Sequence, residues 1–369
     1  MTHEELFEIN IKEPDKDIFK AVKKRFDSVC KPIDGLGDIE DIIADIGAAK
    51  MRADFSLDDK ALVIVCADNG VVKEGVSQTD ESVTSKVAYL MGQKRSVAGV
   101  MLSAYKCDSL VYDVGMKSDE KYEGVIDKKV ANGTKNMAKE AAMSSDECLK
   151  AIMTGIDIVR DAKDKYDILA TGEMGIGNTT TSTALICALL NEKCEGIAGK
   201  GAGLCDERFK RKIDVIERSI SRALSEAENA GIKSSDDRMQ NREFAFEMLR
   251  QLGGFDIAAM AGIFAGGAIY HVPVVIDGLI SAAAALAASV IFPGSENYMI
   301  ASHTGKERGT ALVLDKLNKK AVIDASMALG EGTGAIMIFP LLDMALNVYK
   351  EGPFFSDAKM DAYERNDND

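Results

Sequence analysis

The sequence predicts an α/β fold in which a parallel sheet is covered by helices on both faces. Five apolar runs each lead into a glycine or a polar residue, as buried parallel strands do where they enter functional loops. Helical stretches separate these runs, and strands that alternate with helices favour a parallel sheet. The chain of 369 residues contains 32 glycines and only 6 prolines, which suits many tight turns between strands and helices.

The predicted strands lie within Ala61–Gly70, Ser109–Met116, Tyr166–Asn178, Val272–Ile280 and Asn297–Gly305. Helices are expected at Val83–Ala104, Ser145–Lys163 and Phe209–Ala230, and in residues 1–50 on either side of a break at Lys31–Ile42. The apolar segments Ile257–Ile276 and Gly278–Pro293 are rich in Ala and Gly and stand close to Asp, His or Pro, so we interpret them as buried elements rather than membrane spans. Ligands of parallel sheets bind beyond the carboxyl ends of the strands, where these loops lie.

The composition restricts the class of partner. A formal net charge of −14 argues against nucleic acid or an anionic membrane as a partner. An anionic substrate would have to be held by backbone N–H groups or by a few placed Lys and Arg side chains. Seven cysteines without a C-x-x-C pair indicate reduced thiols and a cytoplasmic location. The N-terminus has no apolar signal segment, and no metal-binding spacing is present, so we expect neither a metal nor a cofactor.

The segment "GEMGIGNTTTSTALICALL" (Gly172–Leu190) joins a glycine-rich turn to an uncharged helix. Its glycines can present several N–H groups to one point, and Asn178–Thr180 are expected to cap a helix over Thr181–Leu190. A helix N-terminus adds partial positive charge, so the pattern predicts a phosphate site. The alternative is a tight turn before a buried helix. Glu173 has either a direct role or a supporting one, as a hydrogen-bonding residue behind the ligand.

The segment "LGEGTGA" (Leu329–Ala335) places Glu331 between glycines. A carboxylate in a partly dry turn is a candidate general base, and the alternative is an acid that caps a helix. The segment "GKGAGLCDERFKRK" offers basic side chains for a phosphate or carboxylate: Lys200, Arg208, Arg211 and Lys212. For Arg208 and Lys210, a solvated helix face is the favoured interpretation. Ser302 and His303 follow a predicted strand, but a chain with three histidines gives weak support for a nucleophilic triad.

Several segments resemble motifs of the nicotinate-nucleotide–dimethylbenzimidazole phosphoribosyltransferase family. They are "KPIDGLGDIE", "ADNGVVKEGVSQTDESVT", "GEMGIGNTTTSTAL", "GKGAGL", "DGLISAAAAL", "ASHTGKERG" and "LGEGTGA", and the resemblance spans about residues 30–348. It implies a Rossmann-like parallel sheet with helices on both faces, and a homodimer. It also implies a small helical domain formed by residues 1–55 and 340–369 beside a large catalytic domain, residues 56–339.

The resemblance implies transfer of phosphoribose from nicotinate mononucleotide to a benzimidazole-type base, giving α-ribazole phosphate and nicotinate, for the lower ligand of cobalamin. It makes Glu331 the catalytic base and places Glu173, the second catalytic candidate, near the ribose. The implied phosphate and nucleotide residues are Gly175, Ile176, Gly177, Asn178, Thr179, Gly201, Gly203, Lys212, Asp277 and Ser302. The implied residues around the base are Asp68, Asn69, Ser77, Gln78, Glu81 and Leu329.

The chain departs from the family pattern at three places. Asn69 and Thr310 stand where many members have His, and the usual aromatic–Pro pair is missing after Ser77. Asn69 and the altered segment after Ser77 leave the identity of the base open among benzimidazoles, a purine and a phenolic compound. Two alternatives therefore accompany the main hypothesis: a phosphoribosyltransferase for another aromatic base, and a nucleotide-binding regulatory subunit. Glu331 and the complete glycine loop favour an enzyme.

Overall fold

The computed structural model describes residues 2–201, 203–234 and 238–365, so parts of the predicted loop 233–240 and of the C-terminal segment lie outside the described residues. Its main sheet has six parallel strands in the order β3-β2-β1-β4-β5-β6. These are β1 (Lys60–Ala67), β2 (Asp108–Gly115), β3 (Val125–Asp127), β4 (Ile168–Met174), β5 (Val274–Ile276) and β6 (Met299–Ala301). The order is that of a Rossmann fold, which confirms the α/β prediction and puts the reversal of strand order between β1 and β4.

A second, two-stranded parallel sheet pairs β7 (His303–Gly305) with β8 (Ile323–Met327). The single strand predicted within Asn297–Gly305 is therefore wrong: β6 ends at Ala301, and the chain enters the second sheet at His303. The sequence did not predict β3 or β8. Both are short and mostly solvent-accessible, so neither has the continuous apolar run that marked the buried strands.

The helices in the described part of the chain are α1 (His3–Glu8), α2 (Lys16–Asp27), α3 (Asp38–Ala49), α4 (Ser82–Gly92), α5 (Val97–Leu102), α6 (Ser145–Ala162), α7 (Asn178–Leu190), α8 (Asp206–Asn229), α9 (Arg242–Leu252), α10 (Phe255–Tyr270), α11 (Leu279–Ile291), α12 (Arg308–Lys316), α13 (Thr333–Met337) and α14 (Phe339–Glu351). Local signals explain several boundaries. Ser144 and Glu147 form a capping box that starts α6. Both segments that we interpreted as buried rather than membrane-spanning hold a buried helix, α10 and α11. Across the described residues, none of the helices combines the length and apolarity that crossing a bilayer requires.

Two helix predictions are corrected by the structure. The single helix expected over Val83–Ala104 is two helices, α4 and α5, because the chain turns at Lys94 with a positive φ of 57°. The helix expected from Thr181 begins at Asn178 instead. Its N-cap is Gly177, which has no side chain to donate or accept, so Asn178–Thr180 form the first turn rather than the cap.

The two faces of the sheet carry separate apolar clusters. Along β1, Ala61, Val63 and Val65 pack on the side of α6, α7, α10 and α11. Leu62, Ile64 and Cys66 pack on the opposite side, with α3, α4 and α14. This alternation follows from the two-residue period of a strand, and it buries β1 completely.

The chain ends contribute to both faces. Helices α2 and α3 pack against α14, and their apolar side chains join the cluster that contains Leu62. Helix α1 lies elsewhere: Leu6 belongs to the other cluster, and the ring centroids of His3 and Phe246 are 4.6 Å apart. The division into an end domain (1–55 with 340–369) and a catalytic domain (56–339) stays a prediction.

Candidate active site

A cavity of about 280 Å³ opens at the carboxyl end of β4, next to the reversal of strand order. Its wall combines the glycine loop after β4, the turn before α13 and the segment that leads into α8. The lining residues are Val76, Ser77, Gln78, Glu173, Met174, Gly175, Ile176, Gly177, Asn178, Thr179, Lys200, Gly201, Leu204, Lys212, Asp277, Gly278, Leu279, Ile280, Ser281, His303, Gly305, Glu307, Met327, Ala328, Leu329, Gly330 and Thr333. Segments distant in sequence thus meet where the fold places ligands.

The glycine loop presents free N–H groups to this cavity. The N–H groups of Gly177 and Thr179 have no acceptor among the described residues. The N–H of Ile176 donates to Oγ1 of Thr84 at 3.2 Å, which ties the loop to α4. Gly177 adopts φ +95°, and a Cβ there would lie 2.8 Å from Cγ2 of Val72. The loop therefore needs glycine at this position and forms a cradle for an anion at the start of α7.

Lys212 supplies the positive charge beside this cradle. Its Nζ donates to Oγ1 of Thr179 and to the carbonyl of Gly199, both at 3.0 Å. The side chain is fully buried, and burial lowers its pKa to about 8. The other basic candidates have different contacts: Lys200 pairs with Asp206 at 2.6 Å, and Arg208 donates to the carbonyl of Ser77 at 3.1 Å. The structure therefore distinguishes Lys212 as the buried ammonium at the loop.

Glu173 lies near the end of β4 and is buried at the floor of the cavity. Burial, and then the charges of Asp256, Asp277 and Glu331, raise its pKa to about 8, while a hydrogen bond from the Asn178 amide opposes the shift. At neutral pH the group is therefore mostly protonated. A neutral carboxyl does not repel an anion, so Glu173 is compatible with an anion bound at the glycine loop.

Glu331 lies in a turn with left-handed backbone, at φ 59° between Gly330 and Gly332. Asp277 fixes this turn by accepting from the N–H groups of Gly332 at 3.2 Å and Ala335 at 2.9 Å. Oε2 of Glu331 accepts from the N–H of Ala98, at the start of α5, at 2.9 Å. The alternative for Glu331 is an acid that caps a helix. Its side chain does contact a helix N-terminus, but this helix is α5, whereas the helix that follows it in the chain, α13, is capped by Gly332.

The Asp277 carboxyl is buried and its pKa is raised by burial, while the neighbouring His303 acts to lower it. His303 lines the cavity and packs against Gly334. Ser302 lies behind it: its Oγ donates to the carbonyl of Ile276 at 2.6 Å and lies 2.9 Å from Nδ1 of His303. The histidine is therefore the member of this pair that contacts the ligand space. No group of three or more metal-binding side chains occurs among the described residues.

The residues predicted around the base fall into three places. Ser77, Gln78 and Leu329 line the cavity. Asp68 and Glu81 line a separate, open groove of about 890 Å³ on the other side of the start of α4. Asn69 is buried behind the glycine loop, beside Asp256, Gly175 and Gly254.

The remaining nucleotide candidates close the cavity near α8. Gly201 lines it, and the carbonyl of Gly203 accepts a hydrogen bond from Nε2 of Gln78. The sequence did not single out Met174, Glu307 or Met327, which also line the cavity. Asp256, which lies behind the cavity and binds Asn178, was missed as well. Its only sequence signal is a charged residue at the front of the apolar segment that forms α10.

A family model, curated relatives and a solved structure all match this chain to phosphoribosyltransferases. A family model described as phosphoribosyltransferase matches residues 11–360. The chain is 39% identical over 365 residues to a nicotinate-nucleotide–dimethylbenzimidazole phosphoribosyltransferase of Ruminiclostridium cellulolyticum, covering 99% of both chains. It is 38% identical to a protein of the same name from Clostridium acetobutylicum, covering 95% of this chain and 96% of that one. The crystal structure of CobT from Thermus thermophilus matches with a TM-score of 0.84 and 31% identity, over 94% of this chain and 100% of that chain.

Proposed function

Because the chain belongs to the nicotinate-nucleotide–dimethylbenzimidazole phosphoribosyltransferase family, we propose that it transfers phosphoribose from nicotinate mononucleotide to a benzimidazole-type base. The products are α-ribazole phosphate and nicotinate, and the reaction serves the lower ligand of cobalamin. The observation that carries the proposal is the anion cradle, in which two free N–H groups of the glycine loop adjoin the Lys212 ammonium. A protein with a net charge of −14 needs such a local site to bind a phosphate.

In the proposed reaction, one benzimidazole nitrogen attacks C1 of the ribose from the face opposite nicotinate. The new N–C1 bond forms as the bond from C1 to the pyridinium nitrogen breaks. The bonding electron pair leaves with nicotinate, whose ring nitrogen becomes neutral. The other benzimidazole nitrogen loses its proton to the Glu331 carboxylate. A single inversion converts the β-nucleotide into an α-nucleotide, so no covalent enzyme intermediate is required.

The position of Glu331 sets a condition on this mechanism. Its carboxylate contacts the start of α5, while its neighbours Leu329, Gly330 and Thr333 line the cavity. The proposed mechanism therefore requires the carboxylate to leave Ala98 and turn to the Leu329 side, where we place the base.

The test is a product assay with purified protein, nicotinate mononucleotide and a panel of acceptors. The panel comprises benzimidazole, its dimethyl, hydroxyl and methoxyl derivatives, adenine and a phenol, with products identified by mass. We expect nicotinate release that depends on the acceptor, together with an α-nucleotide product. If no acceptor yields a nucleotide, the proposed function is wrong. A purine or phenolic product alone would select the alternative acceptor class.

We also propose a homodimer in the cytoplasm. Val97 and Val100 of α5 and Met337 of α13 are exposed apolar residues on helices that contact each other, and such a surface suits a second copy of the chain. All seven cysteines are free thiols, as suits a reducing compartment. Light scattering of the purified protein tests the dimer, and Val100→Glu is expected to weaken it.

A further inference from the structure

Three polar side chains meet at the floor of the cavity, where β4, α7 and α10 converge. Nδ2 of Asn178 donates to Oε2 of Glu173 and to Oδ2 of Asp256, the second bond being 3.1 Å long. Glu173 and Asn178 line the cavity, whereas Asp256 is fully buried behind them. One amide is therefore shared between a carboxyl that faces the ligand space and a carboxyl that does not.

Asp256 is fully buried, and burial of a carboxylate costs free energy. Its hydrogen-bond donors among the described residues include the Asn178 amide and the N–H of Ile257, at 3.0 Å, and both are uncharged. Burial raises its pKa to about 6. A buried carboxylate without a cationic partner destabilises a fold relative to an apolar residue of similar size. The absence of a side chain at Gly175 leaves room for the Asp256 carboxyl, since a Cβ at this position would lie only 2.5 Å from Oδ2 of Asp256.

We propose that Asp256 is a positioning residue, which holds the Asn178 amide in the orientation that fixes the Glu173 carboxyl in the cavity. The proposal rests on the proposed phosphoribosyl transfer, because the orientation of Glu173 matters only if the cavity binds the nucleotide. Since both carboxyls accept from Nδ2, the amide oxygen of Asn178 is directed away from them. Without Asp256, one of the two contacts that define the amide orientation is lost.

The same arrangement determines where the Glu173 proton resides. Oε2 is occupied by Nδ2 of Asn178, so the proton of the neutral acid lies on Oε1. Oε1 faces the turn that leads to Glu331, since a Cβ on Gly330 would lie 2.7 Å from it. The charged groups that act on Glu173 are Asp256, Asp277 and Glu331, and the neutral Asn178 amide opposes them. Asp256 thus affects both the orientation of Glu173 and the pH at which its proton leaves.

The test compares Asp256→Asn with Glu247→Gln, which alters a buried carboxyl of α9 outside the cavity and should leave kcat and the pKa of Glu173 unchanged. In Asp256→Asn we expect kcat to fall roughly 10- to 100-fold, the range for a misplaced group, with KM for nicotinate mononucleotide little changed. The pKa of Glu173, followed by NMR of ¹³C-labelled glutamate carboxyls and assigned with Glu173→Gln, should fall by about one unit once the like charge is gone. Adding Asp256→Asn to Glu173→Gln should reduce kcat no further, because the two residues act together.

An unchanged Glu173 pKa, or losses of kcat that add in the double variant, would overturn the proposal. If Asp256→Asn does not fold, Asn178→Ala tests the same connection. Loss of its amide should raise the pKa of Glu173 and lower kcat, and no change in either would contradict the role. The NMR titration needs no turnover. A wild-type protein without transferase activity would therefore refute the proposed function, while the titration still decides whether Asp256 acts on Glu173.

Discussion

The carboxylate of Glu331 accepts a hydrogen bond from the backbone N–H of Ala98 at 2.9 Å, although the two residues are 233 positions apart in the sequence. The contact directs the proposed base toward the N-terminus of α5. Ser96 caps the same helix by accepting from Gly99. A second copy of the chain that covered α5 would therefore act close to the proposed base.

Replacement of Glu331 by Gln keeps the size of the side chain and removes its basicity. We expect kcat to fall by roughly 10²–10⁴, with nearly unchanged affinity for nicotinate mononucleotide. Steady-state kinetics and calorimetry measure the two quantities. Glu351→Gln, on the exposed end of α14, is the control and should leave both unchanged. A Glu331→Gln enzyme with near-normal kcat would show that another group takes the proton.

Replacement of Gly177 by Ala tests the anion cradle. The new Cβ would lie 2.8 Å from Cγ2 of Val72, and alanine is strained at φ +95°, so the backbone would shift and the free N–H groups would move. We expect the affinity for nicotinate mononucleotide to fall at least about tenfold, or ~1.4 kcal/mol.

Gly231→Ala is the matched control for this change. Gly231 also has a positive φ of 83°, but a Cβ there has open space. Backbone strain should lower its stability by about 1–2 kcal/mol without weakening nucleotide binding. Equal affinities of the Gly177→Ala and Gly231→Ala proteins, measured by calorimetry, would mean that the phosphate binds elsewhere.

The Glu173 carboxyl makes stability depend on pH. Its pKa is about 8 in the folded protein, against an ordinary value of 4.5. Between these values the folded state holds a proton that the unfolded state has lost, so the free energy of unfolding falls as pH rises. Glu173→Gln lacks this contribution and should gain stability relative to the wild type as pH rises from about 5 to about 8, by up to about 1.4 kcal/mol per pH unit.

Urea unfolding at several pH values measures this difference. Glu351→Gln is again the reference, and its stability should run parallel to that of the wild type. A constant difference between wild type and Glu173→Gln across the range would contradict the raised pKa.

The choice of base should be broad. Ser77 and Gln78 line the cavity, and the usual aromatic–Pro pair is missing after Ser77, so the wall at which we place the base carries polar groups. Methyl contacts are worth only about 1–3 kcal/mol, so dimethylbenzimidazole should be preferred by less than about 100-fold over hydroxyl or methoxyl derivatives. Competition between two bases, with products resolved by mass, tests this expectation. Gln78→Met should raise the preference for the dimethyl compound, whereas Gln93→Met, at the end of α4, should not.

Asn69 is not among the residues that line this wall of the cavity. The resemblance to the family placed it with the base, and it follows β1 in a loop at the carboxyl edge of the sheet. In the fold it is buried beside Asp256, behind the glycine loop. Asp68 and Glu81 line the neighbouring groove rather than the cavity that contains Glu173. A position at a strand end thus predicted the right edge of the sheet but not the cavity that each side chain faces.

The sequence by itself determined the parallel α/β architecture, the segments that hold five of the six strands of the main sheet, and the glycine loop. These depend on local properties: the length of an apolar run, the backbone freedom of Gly177 and the absence of a side chain at Gly175. It could not determine the break between α4 and α5 at Lys94, since a positive φ at a lysine has no local signal.

Only the tertiary structure decided which polar groups act together. It buried Lys212 at the glycine loop while Lys200 and Arg208 bound other partners, it turned Glu331 toward Ala98, and it set Asp256 behind Asn178. Each of these contacts joins segments that are far apart in the chain. The physical reason is that burial and electrostatic coupling, which set the pKa of Glu173 and of Lys212, depend on what packs around a group rather than on its neighbours in sequence.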